Sequence, residues 1–303
     1  MQTLTVRHTT AYSYANPVSF GEHRAMFRPR DSHDIRLLDA TLEIAPQASV
    51  HWYHDVFGNS IAIARFDTKA TELRFVSTIR LTHYPRSGPD FQIEPYARTF
   101  PFAYSAEEVP DLGRTMERHY PDPGHLVDEW ARQFVMNDGQ NDTPLLLGNM
   151  TRAVQRTFQY RARYEEGTQS PVQTLETRSG TCRDFALLMM EAARSLGLAA
   201  RFVSGYLYGD GSVGGGSTHA WVQIYLPGAG WTEFDPTNGL VGSENLVRVA
   251  VARDPSQALP LTGSWEGAPS DFLGLTVDVS VTPERDEAAV APERPAAAAS
   301  SGA

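Results

Sequence analysis

Gly180-Thr181-Cys182-Arg183-Asp184-Phe185-Ala186, running on through Met189, Ala192 and Arg194 to Leu196-Gly197, is the stretch that decides the fold. Threonine is a favoured helix N-cap, and Asp184 three residues on gives a Thr-x-x-Asp form of the capping box. Phe185, Met189, Ala192 and Leu196 then share one helical face. Arg194 falls in the last turn and Gly197 just beyond it, as a helix end requires. The pattern predicts a helix whose first residue is Cys182. Strand signals follow from Ala200 to Tyr208, Thr218 to Leu226 and Trp231 to Asp235, rich in β-branched and aromatic residues. Two further helices precede. Leu126, Trp130 and Phe134 sit at i, i+4 and i+8; Thr143-Pro144 offers an N-cap and a proline at the first helical position, with Leu146, Met150 and Val154 behind it. Helices first and an antiparallel run after them predict an α+β core.

Upstream the period changes. Leu4, Val6 and His8 alternate with polar residues, Leu42 and Ile44 do likewise, and Ile61, Ile63 and Phe66 follow a turn at Gly58-Asn59. Leu73 to Thr82 is a strand-like run without helical period, so the first part of the chain is expected to be an antiparallel β domain. The expected division is a β-rich domain over 1–105, a core over 106–280 and a tail over 281–303. That tail holds eight alanines and three prolines. It is too poor in large apolar side chains to offset its ordering entropy and is expected to be disordered.

The chain has 303 residues, 41% hydrophobic and 20% charged, with 26 basic and 36 acidic side chains for a net charge of −10. Such a composition belongs to a globular protein, and its acidic balance argues against nucleic acid as a partner, since phosphate binding needs clustered positive charge. No run approaches the roughly 18 apolar residues of a membrane helix, and the start lacks an apolar stretch of signal-peptide length. The expectation is a cytoplasmic protein with no membrane partner. Composition does not fix an oligomeric state. The single cysteine, Cys182, excludes an intramolecular disulfide.

Three residues carry chemistry. A lone cysteine is more often an inert buried side chain than a nucleophile. At the first position of a helix, however, unpaired N–H groups and the helix dipole favour a thiolate. His219 opens the strand His219-Ala220-Trp221-Val222-Gln223-Ile224-Tyr225, whose even members face a core. His219, Trp221, Gln223 and Tyr225 lie on the other, partly polar face. Asp235 ends the next strand, joined through Pro227-Gly228-Ala229-Gly230, so a hairpin makes His219 and Asp235 cross-strand neighbours. Nucleophile, base and orienter are thereby in reach. Glu233, on the same strand face as Asp235, is the rival orienter. His51 and His54 lack a third ligand, so no metal is expected. Gly209-Asp210-Gly211-Ser212-Val213-Gly214 matches G-x-G-x-x-G, but no helix follows it, so it is expected to be a flexible loop and not a dinucleotide site.

The motif around Cys182, the run Leu196 to Tyr206, His219-Ala220-Trp221-Val222 and Trp231 to Thr237 together resemble the bacterial transglutaminase-like family. His8 to Tyr14, with Pro17-Val18 and Arg28-Pro29-Arg30, resembles the β-rich region that precedes this domain in bacterial members. The resemblance implies a papain-like fold, helices packed on an antiparallel sheet, with a catalytic triad of Cys182, His219 and Asp235. It further implies acyl transfer on peptide or side-chain amides of a peptide or protein substrate, through a thioester. Hydrolysis of the protease or amidase kind is expected, with glutamine crosslinking to amines or a non-catalytic scaffold as alternatives. No cofactor is expected, and no dense acidic loop suggests calcium dependence. The Cys182 N–H is a natural oxyanion donor, and Gln159 or Tyr160 is a candidate for the second.

Overall fold

A computed structural model describes residues 1–85, 92–136, 141–163, 167–209 and 218–284. The expected glycine-rich loop falls mostly at 210–217 and most of the expected disordered tail at 285–303, both outside the described residues.

The first part of the chain is an antiparallel β unit, as its alternation predicts. Its strands are β1 (Gln2–Phe20), β2 (His23–Ala25), β3 (Ile35–Ala45), β4 (Ala48–His54), β5 (Ser60–Phe66) and β6 (Ala70–His83). β3, β6 and β1 form one sheet, and β4, β5 and β2 a second. Tyr14, Phe20, Phe27, Ala64, Leu73 and Phe75 fill the space between the two. Side chains alternate faces along each strand, so every second residue enters this layer.

Among the described residues five α-helices follow: α1 (Glu108–Met116), α2 (Leu126–Arg132), α3 (Thr143–Thr157), α4 (Pro171–Thr177) and α5 (Cys182–Ser195). On α2 the buried residues are Val127, Trp130 and Ala131, while Leu126 is exposed. On α3 the N-cap is Asp142 and not Thr143; its carboxylate accepts from the Leu145 N–H at 2.9 Å. Thr143 is the first helical residue, and its hydroxyl donates to the Ala97 carbonyl at 2.7 Å. The predicted stripe on α5 is too narrow a reading. Residues 184–194 are all buried, because the helix lies in the middle of the core with α2, α3, α4 and the sheet around it. Arg194 does not reach solvent. It donates to the backbone carbonyls of Thr115, Ala200 and Arg253 and pairs with Glu191 at 2.9 Å, fastening the end of α5 to its neighbours.

The sheet behind α5 is built from β7 (Ala200–Leu207), β8 (His219–Leu226), β9 (Gly230–Asp235), β10 (Leu240–Val241) and β11 (Leu246–Ala252). Its spatial order is β10-β9-β8-β7-β11, antiparallel throughout. The β8–β9 hairpin is the predicted one. The edge strand β11 is an addition, although Val247, Val249 and Val251 carry the period of two that marks it. Ala220, Val222, Ile224 and Leu226 face α5 in the core.

The chain then returns to its beginning. β12 (Leu261–Thr262) pairs with β2, β13 (Trp265–Glu266) with β1, and β14 (Phe272–Pro283) runs antiparallel to β1 over most of its length. The boundary expected at 280/281 lies inside β14. Just beyond it, Glu284 accepts from Arg80 Nε at 2.6 Å and Nη2 at 2.7 Å. The alternating, mostly exposed LTVDVSV run finds its partner in β1, near the other end of the sequence, a separation local patterning does not reveal.

The β unit packs on the β7–β11 edge of the core sheet. Leu4, Val6, Ile79 and Leu81 meet Tyr206, Tyr208, Val247 and Val249. Two histidines bridge this contact: His8 Nδ1 lies 3.0 Å from the Tyr206 hydroxyl, and His83 Nδ1 lies 2.8 Å from that of Tyr208. Burial pushes each imidazole down to about 4, and for His83 the positive charge of Arg248 adds to this against the opposing pull of Asp34. Both are therefore neutral in the folded protein, whereas unfolded histidine titrates near 6.5. A depressed folded-state value means stability is full above about pH 6.5 and falls as pH drops toward 4. Two extra protons on the unfolded chain give a slope of about 2.7 kcal/mol per pH unit in that window. Urea midpoints measured from pH 7 to pH 4.5 should fall accordingly, and His83→Gln should flatten the fall. Midpoints level across the window would contradict the buried, neutral assignment.

Candidate active site

The local chemistry of the α5 start is the predicted one. Asp184 Oδ2 accepts from the Thr181 N–H at 2.8 Å and the Thr181 hydroxyl at 2.9 Å. Its Oδ1 accepts from the Gln169 N–H at 2.7 Å and from Arg163 Nη1 at 3.0 Å. Asp184 is fully buried by this network and does not face the reacting atoms. Gly180 leaves it room: a Cβ there would lie 2.8 Å from Asp184 Cβ and 2.9 Å from Gln169 Nε2. Cys182 is thus held as the first residue of a rigid helix, buried but for 7%.

His219 and Asp235 meet as the hairpin predicts, with His219 Nε2 2.8 Å from Asp235 Oδ2. Both side chains are completely shielded from solvent. Asp235 Oδ1 accepts from the Thr237 N–H at 2.9 Å, and Oδ2 from Asn238 Nδ2 at 2.9 Å. Burial raises the carboxyl, but the His219 imidazole and these donors outweigh it and hold Asp235 below its ordinary value. Burial likewise opposes protonation of His219. The Asp235 carboxylate overcomes it, the Cys182 sulfur adds to the effect, and the imidazole is raised to about 10. With Nε2 committed to Asp235, Nδ1 is the nitrogen left for Cys182. No oxygen or nitrogen partner meets it among the described residues. Glu233, the rival orienter, instead accepts from Gln223 Nε2 at 2.6 Å and from Arg248 Nη1 at 2.8 Å.

Of the two further candidates, Tyr160 stands at the sulfur. A short parallel pairing of Gln159–Tyr160 with Ser179–Gly180 sets it beside the start of α5. Partial burial and the neighbouring Cys182 sulfur push its phenol up to about 12, so it is a neutral donor at physiological pH. Gln159 is exposed, and its carbonyl oxygen accepts from Arg161 at 2.7 Å and 3.0 Å. The sequence reading missed Asn238. The Asp-Pro-Thr-Asn turn after β9 was its signal, since an aspartate commonly accepts from the backbone two residues on.

The His219 face of β8 is drier than its polar residues suggest. Trp221 is fully buried and stacks on His219 with ring centroids 5.9 Å apart. The β unit covers this face, with Phe57 packed against the Trp221 cluster and Asn59 bonded to Val251 of β11. Gly205 lies directly opposite His219 in the β7–β8 ladder. A Cβ there would sit 2.1 Å from the Val247 carbonyl oxygen and 2.7 Å from Trp221 Cη2. Backbone cannot yield as a side-chain tip can. Gly205→Ala is expected to cost roughly 1–3 kcal/mol by overpacking and to displace the indole that backs His219. Urea midpoint and kcat/KM should fall together; a variant matching wild type in both would refute this role for Gly205.

A thiol at a helix start, facing a buried imidazole–carboxylate pair on the adjacent antiparallel sheet, defines the papain-like class of α+β protein. The family is narrower. Residues 135–236 match the transglutaminase-like superfamily and residues 4–82 the bacterial transglutaminase-like N-terminal region, together more than half of the chain, which belongs to this superfamily. An uncharacterized protein of Mycobacterium leprae is 26% identical over 289 residues, covering 92% of this chain and 99% of its own. A solved structure from Cytophaga hutchinsonii, described as a candidate cysteine protease, superposes with a TM-score of 0.70 at 18% identity, covering 93% of this chain and 90% of that one. A protein-glutamine gamma-glutamyltransferase of Pseudomonas aeruginosa is 38% identical over 69 residues, which is 20% of this chain and 10% of that protein.

Proposed function

We propose that the protein is a cysteine-dependent enzyme that hydrolyses amide bonds through a thioester on Cys182. The observation that carries this reading is the buried His219–Asp235 pair, with the free imidazole nitrogen on the side of a thiol at the start of α5. In this reading His219 carries the proton that leaves Cys182, and the thiolate attacks the amide carbonyl carbon. The oxygen that becomes negative accepts from the Cys182 N–H, because the Thr181 N–H is already taken by Asp184. The Tyr160 hydroxyl is the second donor at hand. Collapse of the adduct breaks the C–N bond, and His219 gives its proton to the departing amine. Water then loses a proton to His219 and adds to the thioester, releasing a carboxylic acid and restoring the thiol.

Crosslinking is the second reading, favoured by the short but closer likeness to the gamma-glutamyltransferase. Both reactions share the thioester and differ in what attacks it. A transferase must exclude water, for which Trp221 and Trp231 are the natural tunnel walls. Trp221 is sealed inside the protein, and Trp231 packs on Arg201 at 4.1 Å, at the turn end of the β8–β9 hairpin, while Asp235 ends the strand at the other end. Neither is free to wall an amine tunnel, which supports water as the acceptor. The peptide or protein amide substrate is part of the same proposal. The test is partition. With a glutamine-containing peptide pool and millimolar labelled primary amine, free acid and ammonia should exceed amine incorporation. Incorporation exceeding hydrolysis would overturn the hydrolytic reading and leave the thioester intact.

A further inference from the structure

A cavity of about 460 Å³ lies between the β unit and the polar face of the core sheet, and neither Cys182, His219 nor Asp235 lines it. Its charged groups form a chain. Asp34 accepts from Arg248 Nη2 at 3.1 Å and 3.2 Å, and Glu233 accepts from Arg248 Nη1 at 2.8 Å. Glu233 also accepts from Gln223, whose carbonyl oxygen in turn accepts from Arg201 Nε at 2.7 Å. Arg248 thereby serves two carboxylates. Arg201 has none: its hydrogen-bonded partner among the described residues is the neutral Gln223, and its guanidinium rests on the Trp231 ring at 4.1 Å.

A guanidinium partly withdrawn from water is costly unless an anion meets it. The cost is visible here, since burial and the neighbouring Arg248 charge push Arg201 down to about 9 against the pull of Glu233. Stacking on indole offsets part of this. It also fixes the plane of the guanidinium, and with Nε used by Gln223 the two Nη groups remain, without an acceptor among the described residues, in a residue that lines the cavity. That fork matches the geometry of a carboxylate. Phe57, Val249 and Val251 supply an apolar wall beside it.

We propose that this cavity is a ligand site for a small carboxylate with an apolar body, held by Arg201 against Trp231. The carboxylate belongs either to a free acid or to the C-terminus of a peptide. Calorimetry on the full chain in the Cys182→Ala background separates the two without turnover, using N-acetylleucine, N-acetylleucinamide and the peptide Gly-Gly-Gly-Gly-Leu as probes. N-acetylleucine should bind at least about tenfold more tightly than its amide, the scale of one charge-assisted pair. Arg201→Gln should lose that preference, and Arg201→Lys should keep part of it. Equal binding of the peptide assigns the C-terminus, and binding of N-acetylleucine alone assigns the free acid. Should Arg201→Gln fail to fold, Trp231→Leu keeps the guanidinium and should still weaken N-acetylleucine several-fold. Equal affinity for acid and amide, undiminished binding by folded Arg201→Gln or by Trp231→Leu, tighter binding of inorganic phosphate, or no binding of either acid at 20 mM would overturn the proposal.

Discussion

Cys182→Ala is expected to lower turnover of any amide substrate by at least about a thousandfold, since removal of the nucleophile from such a unit leaves only binding and oxyanion stabilisation. The fold should survive. The side chain is small, alanine is the best helix former, and the cap of α5 does not use the sulfur. The cap runs through Thr181 and Asp184 instead. Far-UV circular dichroism should be unchanged and the melting temperature within a few degrees of wild type. A purified variant that keeps more than a few percent of wild-type activity would show that the thiol is not the nucleophile.

Asp235→Asn carries the second large effect. An asparagine preserves the shape of the side chain but removes the charge that holds the His219 proton against burial. kcat/KM is expected to fall by roughly 10³–10⁴-fold, the scale seen when the orienting carboxylate of a triad is neutralised. The alkaline limb of the pH profile should move down by at least about one pH unit, because burial then dominates and the imidazolium deprotonates earlier. Apparent limbs belong to the coupled Cys182–His219 pair, so the direction of movement is the diagnostic quantity. Stability should fall as well, by about 3–5 kcal/mol near neutral pH, since a buried charge loses its partner. The sign of the linkage sets the window. His219 has a raised folded-state value, so its contribution is complete below about pH 6.5 and vanishes as pH rises toward 10. Asp235 has a lowered value, so its contribution is lost as pH falls below the ordinary carboxylate range. The stability gap between wild type and variant should be widest between these limits and close on both sides. An unchanged profile with an unchanged midpoint would mean that the 2.8 Å pair is neither ionic nor functional.

What the sequence reveals and what it hides divide along the range of the interactions. The α5 start is local chemistry: Thr181, Asp184 and the stripe from Phe185 specify a capped helix within a few residues, and the cap forms as read. The hairpin is nearly as local, so His219 and Asp235 come together as their spacing and a short turn require. Burial around α5 is legible only as composition. Ala186, Leu187, Leu188 and Met190 are apolar on the side away from the predicted stripe, yet nothing nearby names the helices that cover them. The covered face of β8 is less legible still. His219, Gln223 and Glu233 look like a solvated surface because they are polar, but Arg201 bonds Gln223, Arg248 bonds Glu233 and Asp34, and Asn59 bonds the β11 backbone, all from positions distant in sequence. Strand β14 fails to announce itself for the same reason, since its partner β1 is at the other end of the sequence.

The account rests on acyl transfer through Cys182. Acid-quenched mass spectrometry of the full chain during turnover of an amide peptide tests it most directly. A single acyl adduct should appear, map to the tryptic peptide containing Cys182, and be discharged by neutral hydroxylamine, as a thioester is. It should accumulate more slowly in Asp235→Asn and be absent from Cys182→Ala. Turnover with no adduct on Cys182, or with a hydroxylamine-stable adduct on another residue, would contradict the account.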